Sequence, residues 1–160
     1  MNLTNRRSLF AALALVAIVL TGALPTRSQA QTNPLVVGFV LVGPQADKGW
    51  NEAQLLGTQY LVQHIPEVKP IILDKLNSAD RPNVTLEQVV DNMVSQGAKL
   101  IFTTSDDFGD DTIKMAQKYP DVTFIHVSGD AVLRGAAPKN MGNVMGREEY
   151  MKMVGGCAAA

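Results

Sequence analysis

Two short loops hold the residues of this 160-residue chain whose types and spacing suit chemistry. The first, Gly43-Pro-Gln-Ala-Asp-Lys-Gly-Trp-Asn51, sets one acid and one large aromatic at the start of a helix. Trp50 is the only tryptophan. An indole beside a helix N-terminus can stack on a planar ring while backbone N–H groups and Asp47 hold the ring's polar edge. The same pattern serves a plainer purpose, with Trp50 filling core space and Asp47 capping the helix. The second loop, Thr103-Thr-Ser-Asp-Asp-Phe-Gly-Asp-Asp111, brings four acids, three hydroxyls and a phenylalanine together. Carboxylates and hydroxyls there, among them Ser105, Asp106 and Asp110, can bond sugar hydroxyls in a desolvated pocket. They can equally be N-caps and first-turn acids, which is the reading for Asp111.

Other chemistries find little support. The acid count admits a metal, but no EF-hand spacing is present. His126 lies within an apolar strand pattern, the setting of a satisfied core histidine more often than of a catalytic one. Ser105 and His126 lack the G-x-S-x-G elbow of a hydrolase. The chain has no P-loop and no G-x-G-x-x-G fingerprint, so it implies no nucleotide cofactor. A signalling receiver needs an acid pair after the first strand, where Val42-Gly-Pro44 stands instead.

The elements that must position these loops alternate. Leu35–Val42 is a continuous apolar, β-branched run closed by Gly43-Pro44, as in a strand covered on both faces. Val68–Asp74, Lys99–Thr104 and Val122–Val127 read the same way, and a fifth strand is expected near Met141–Met145. Between them, Trp50–His64 reads as a helix stopped by Pro66. Leu86, Val89, Val90, Met93 and Val94 mark a second, opened by a Thr85–Gln88 capping box and ended by Gly97. Asp110–Tyr119 is a third, ended by Pro120, and Tyr150, Met151, Met153 and Val154 begin a last one that runs to Cys157-Ala-Ala-Ala160 without a cap. This order predicts an α/β fold with a parallel, doubly wound sheet, order 2-1-3-4-5, and helices on both faces. Ligands of such sheets bind beyond the carboxyl ends of the strands, where strand order reverses. Gly43–Trp50 and Ser105–Asp110 flank that point, with Ser128–Arg134 beside them.

Residues 1–30 read as an export signal: Arg6 and Arg7, twelve apolar residues from Leu9 to Leu20, and Ser28-Gln-Ala30 before the cut. The apolar run is shorter than the roughly 20 residues of a membrane span, and the paired arginines admit a twin-arginine route. The remaining 130 residues carry 11 basic side chains against 15 acids, a net charge of −4. That balance argues against nucleic acid as a partner. Cys157 is the only cysteine, so the fold stands on its core without a disulfide.

Taken in order, Val37-Gly-Phe-Val-Leu-Val-Gly-Pro44, Asp47-Lys-Gly-Trp-Asn51, Gln96-Gly-Ala-Lys-Leu-Ile-Phe-Thr-Thr-Ser105, Ala116-Gln-Lys-Tyr-Pro-Asp-Val122 and Asn140-Met-Gly-Asn143 resemble the basic-membrane-protein (BMP) family. These are substrate-binding proteins of ABC transporters, and known members bind purine nucleosides. The resemblance covers nearly all of residues 35–156. It implies a two-lobed clamshell of the type I periplasmic-binding class outside the cytoplasm, reversible capture rather than catalysis, and a membrane permease as partner. By the same resemblance Trp50 takes the place of the aromatic that stacks on the base. Asp47 and Asn51 flank it in a D-x-x-aromatic-N motif, and Asp110 matches the acid that binds ribose hydroxyls. Gly49 replaces a polar residue common before the aromatic. The Gly43-Pro44 and Gly49-Trp50 form is closer to members thought to take free bases such as adenine, which leaves nucleoside against nucleobase open. Residues 31–160 correspond to the first lobe only, so weak binding or none is expected from this chain alone. The competing expectations are a sugar-binding protein of the same fold, a non-functional truncated remnant, and an exported α/β hydrolase.

Overall fold

The structure is a computed structural model and describes residues 33–146 and 148–159. The expected export signal lies outside the described residues. Five strands form one sheet: β1 (Leu35–Val40), β2 (Val68–Leu73), β3 (Leu100–Thr103), β4 (Thr123–Val127) and β5 (Met141–Val144). Their order is β2-β1-β3-β4-β5 and every pairing is parallel, as the alternation of elements predicts. Among the described residues four α-helices accompany them: α1 (Trp50–His64), α2 (Leu86–Ser95), α3 (Gly109–Lys118) and α4 (Glu148–Ala159).

β1 is an interior strand, buried from Val36 to Val40, which is why its sequence is apolar without alternation. Val36 and Val40 point to one face, where Val90, Met93, Ile101, Met115 and Phe124 complete the main core. α2 offers Leu86, Val89, Val90 and Met93 to that core, and α3 adds Met115 and Ala116. Val37 and Phe39 point to the other face, where Leu61 and Val62 of α1 and Phe102 of β3 cover them. The Phe39 and Phe102 rings lie stacked across the β1–β3 pair with centroids 5.0 Å apart.

Local signals set the helix ends. Thr85 Oγ1 accepts from Gln88 N–H and the Gln88 side chain accepts from Thr85 N–H, so the expected capping box is formed. Gly97, at φ +91°, reverses the chain after α2, a conformation without steric cost only for glycine. α2 and α3 are clamped from outside: Lys118 Nζ donates to Glu87 (2.7 Å) and Asp91 (2.9 Å), and Tyr119 Oη donates to Asp91 (2.7 Å). The Asp91 carboxyl is held below its ordinary range by the Lys118 hydrogen bond first and the Tyr119 hydroxyl second.

The structure differs from the sequence expectation in one segment that matters to function. The acid loop is not open; Asp106–Phe108 forms a 3-10 turn that runs directly into α3. Ser105 Oγ caps this turn by accepting from Asp107 N–H at 3.2 Å, and buried Phe108 anchors it in the main core. Every α4 residue whose burial is described is exposed, Tyr150, Met153 and Val154 among them. Among the described residues no helix is long and apolar enough to cross a membrane.

Candidate functional site

The strand order reverses between β1 and β3, and the ends of these two strands are tied together. Thr104 Oγ1 and N–H both donate to Val40 O, at 2.9 and 3.1 Å. Thr104 O in turn accepts from the indole Nε1–H of Trp50 at 2.6 Å. The indole N–H is therefore used within the protein, which fixes the ring at the switch point. Trp50 is only partly buried and lines two cavities. One, about 480 Å³ and mainly apolar, runs along α1 past Phe39, Thr58, Leu61 and Phe102. The other, about 400 Å³, lies over the strand ends between Val42, Ser105, Asp106, Asp107, Ser128 and Met145.

The loop that carries Trp50 is braced by its neighbours. Asp47 Oδ1 accepts from the N–H groups of Gly49 (2.8 Å) and Glu52 (3.0 Å), and Oδ2 accepts from Asn51 N–H (3.0 Å) and Asn51 Nδ2 (2.8 Å). Four donors fill the acceptor sites of one carboxylate. They hold its pKa far below the usual carboxylate range, with the Glu52 and Asn51 backbone bonds the largest causes. Asn51, 5% exposed, completes the brace by accepting from Gly43 N–H at 3.0 Å. A Cβ at Gly43 would approach Asn51 Nδ2 to 2.6 Å, so a side chain at position 43 would displace the brace. Lys48 sits at φ +54°, in the left-handed region, at the tightest point of the turn. The backbone N–H groups that the sequence offers to a ligand's edge are thus spent on Asp47. Asp47 and Asn51 form the support of Trp50, and their polar atoms face one another.

Across the strand ends, Asp106 Oδ1 accepts from Ser128 Oγ at 2.8 Å, which joins the loops after β3 and β4. Ser128 adopts φ +74° to make this approach. His126 is 2% exposed, and its Nε2 lies 2.8 Å from Ser105 O. A carbonyl can only accept, so Nε2 carries the proton in the neutral ring and Nδ1 offers a lone pair. That Nδ1 is buried without a hydrogen-bond partner. The expected core histidine is therefore satisfied on one side only. Its free side meets Gly129, where an added Cβ would collide with the ring.

A third cavity, about 720 Å³, extends along the α3 side of these loops. It is lined by His126, Asp110, Asp130 and Arg134 and shares Asp106, Asp107 and Ser128 with the cavity at Trp50. The structure thus brings Trp50, Ser105 and Asp106 onto one cavity and sets Asp110 on the adjoining one. Asp111 pairs with Lys114 at 2.7 Å in the first turns of α3. Among the described residues no group of three or more His, Cys, Asp or Glu could hold a metal ion. Thr104, Ser128 and Met145 lie in segments the sequence reading marked, but it gave none of them an individual part in the site. A hydroxyl pair closing an apolar strand, and a serine before glycine at a strand end, were the only signals they gave.

Solved structures of low sequence identity share this fold. The chain overlays an ABC transporter solute-binding protein from Conexibacter woesei DSM 14684 with a TM-score of 0.57, 20% identity, and 69% of this chain and 35% of the other covered. A transcriptional activator of the comK gene from Bacillus halodurans shares the fold at a TM-score of 0.53, 21% identity, and 68% and 33% coverage. Residues 35–160 match the Bmp family, described as ABC transporter substrate-binding protein PnrA-like, and the chain belongs to that family. It is also 35% identical over 99 residues to a purine-binding protein of Brucella abortus (strain 2308), across 59% of this chain and 26% of the relative. The chain therefore spans about a quarter of that relative's length, and about a third of the two solved structures.

Proposed function

We propose that this chain is the ligand-capturing first lobe of an exported solute-binding protein that delivers a purine base or nucleoside to an ABC importer in the membrane. The observation that carries this reading is the pinned indole of Trp50, which bounds a cavity at the strand-order switch point where ligands of such sheets bind. A flat aromatic held by its own N–H is preorganised to stack on a planar ring. The likeness to a protein named for purine binding supports a purine as that ring. Asp110 lines the adjoining cavity, which supports a role in accepting from ribose hydroxyls when the ligand is a nucleoside. The function is reversible capture, with no catalysis. A second lobe would close over the exposed side of the ring, and the closed form would be what the permease recognises. A lobe taken by itself would leave half of the ligand in water, which lowers affinity.

Ligand-observed NMR on the 160-residue chain tests this. Saturation transfer to purine bases and nucleosides, lost in Trp50→Ala, is the expected result. Transfer to ribose equal to that for adenine, or transfer to purines unchanged in Trp50→Ala, would remove the stacking role.

A further inference from the structure

Two carboxylates dominate the polar part of the cavity wall at Trp50, beside the hydroxyls of Ser105 and Ser128. Asp106 and Asp107 line the cavity at Trp50 and accept only, once ionised. Asp106 Oδ1 is held by Ser128 Oγ at 2.8 Å, which orients the carboxylate and leaves its second oxygen with no hydrogen bond from the described residues. Ser128, which lines both cavities, spends its hydroxyl proton on this bond. The adjoining cavity is lined in part by Asp110 and Asp130. The two cations on that wall are each paired with a carboxylate of their own, Lys114 with Asp111 and Arg134 with Asp130. Among the described residues no lysine or arginine lines the cavity at Trp50.

Such a wall discriminates by the donor content of the ring it meets. An exocyclic amino group offers N–H donors to a carboxylate. An oxo group at the same position sets lone pairs against it and leaves the acid desolvated and unpaired as the ring covers it. We infer that Asp106, positioned by Ser128, is a specificity-determining residue that selects purines with an exocyclic amino group over their oxo counterparts.

This rests on the purine reading above, and the test separates the two. Tryptophan emission of the full chain is titrated with adenine and hypoxanthine, and with adenosine and inosine, pairs that differ in the amino-to-oxo exchange. The amino ligand of each pair should bind about tenfold more tightly. Asp106→Asn, an exposed substitution that the fold tolerates, should bring both ratios close to one, because an amide donates as well as accepts. Asp121→Asn, at an exposed acid that lines neither cavity, should leave them standing, and Ser128→Ala should lower them without abolishing binding. Equal affinity within each pair in the parent chain overturns this inference and leaves the purine reading intact. So does a preference that survives Asp106→Asn or is lost in Asp121→Asn instead. No saturable response to any of the four ligands overturns both.

Discussion

Replacing Asn51 by alanine tests whether the Trp50 loop is held by the brace described above. The side chain is 5% exposed and joins Gly43 N–H to the Asp47 carboxylate through bonds of 3.0 and 2.8 Å. Its loss leaves the partly buried Gly43 N–H without a partner, at a cost of about 1–2 kcal/mol. Asp47 is exposed and keeps three backbone donors, so its share of the loss is small. The total comes to about 2 kcal/mol. For a domain of this size, that lowers Tm by about 6–10 °C. Thermal unfolding of the full chain followed by far-UV circular dichroism measures it, with Asn51→Asp as a second variant. The aspartate keeps the shape and the acceptor for Gly43 but sets a second negative charge against Asp47, so its deficit should shrink on moving from pH 7 to pH 3.5. A Tm within 2 °C of the parent in Asn51→Ala, or a pH-independent deficit in Asn51→Asp, would refute the brace.

Three further outcomes follow from the same geometry. Gly129→Ala forces a Cβ onto the His126 ring and should destabilise the fold by about 1–3 kcal/mol in urea unfolding, a typical overpacking cost; a neutral result would mean that the His126 pocket yields freely. Thr85→Ala removes one half of the capping box on α2 and should cost about 1 kcal/mol in the same assay, whereas Thr85→Ser should cost little. Asp47 and Asp91 both have folded pKa values below their ordinary ones, so the stability they contribute is present above the unfolded value and is lost as pH falls through the folded one. Stability should therefore hold at neutral pH and fall below about pH 4, and Asp47→Asn or Asp91→Asn should flatten that fall.

The fold was legible because its signals are strong and local. β1 is an apolar run long enough to cross a sheet buried on both sides, and α2 carries its cap, its stripe and its terminating glycine in sequence order. The site was legible only as a neighbourhood. Trp50, Ser105 and Asp106 meet because β1 and β3 are adjacent, a consequence of strand order that periodicity predicts. Which polar atoms remain for a ligand is decided by contacts that the sequence does not encode at short range. Asp47, just before α1, and Asn51, in its first turn, are the exception and follow the capping pattern that the sequence offers. Asp106 is oriented by Ser128, 22 residues away, and Trp50 by a carbonyl 54 residues away. His126 has the composition of a core residue, and only its surroundings show that one of its nitrogens has no partner.

The most direct test of the central claim uses Trp50 itself, the only tryptophan, as a reporter seated at the site. Emission from the folded chain is followed while adenine, adenosine or ribose is added to millimolar concentration. A saturable change with adenine and adenosine but not with ribose is predicted, because only the former present a face to the indole. A change with ribose as large as with adenine, or emission unmoved by either purine, would contradict capture of a planar ring at the β1–β3 switch point.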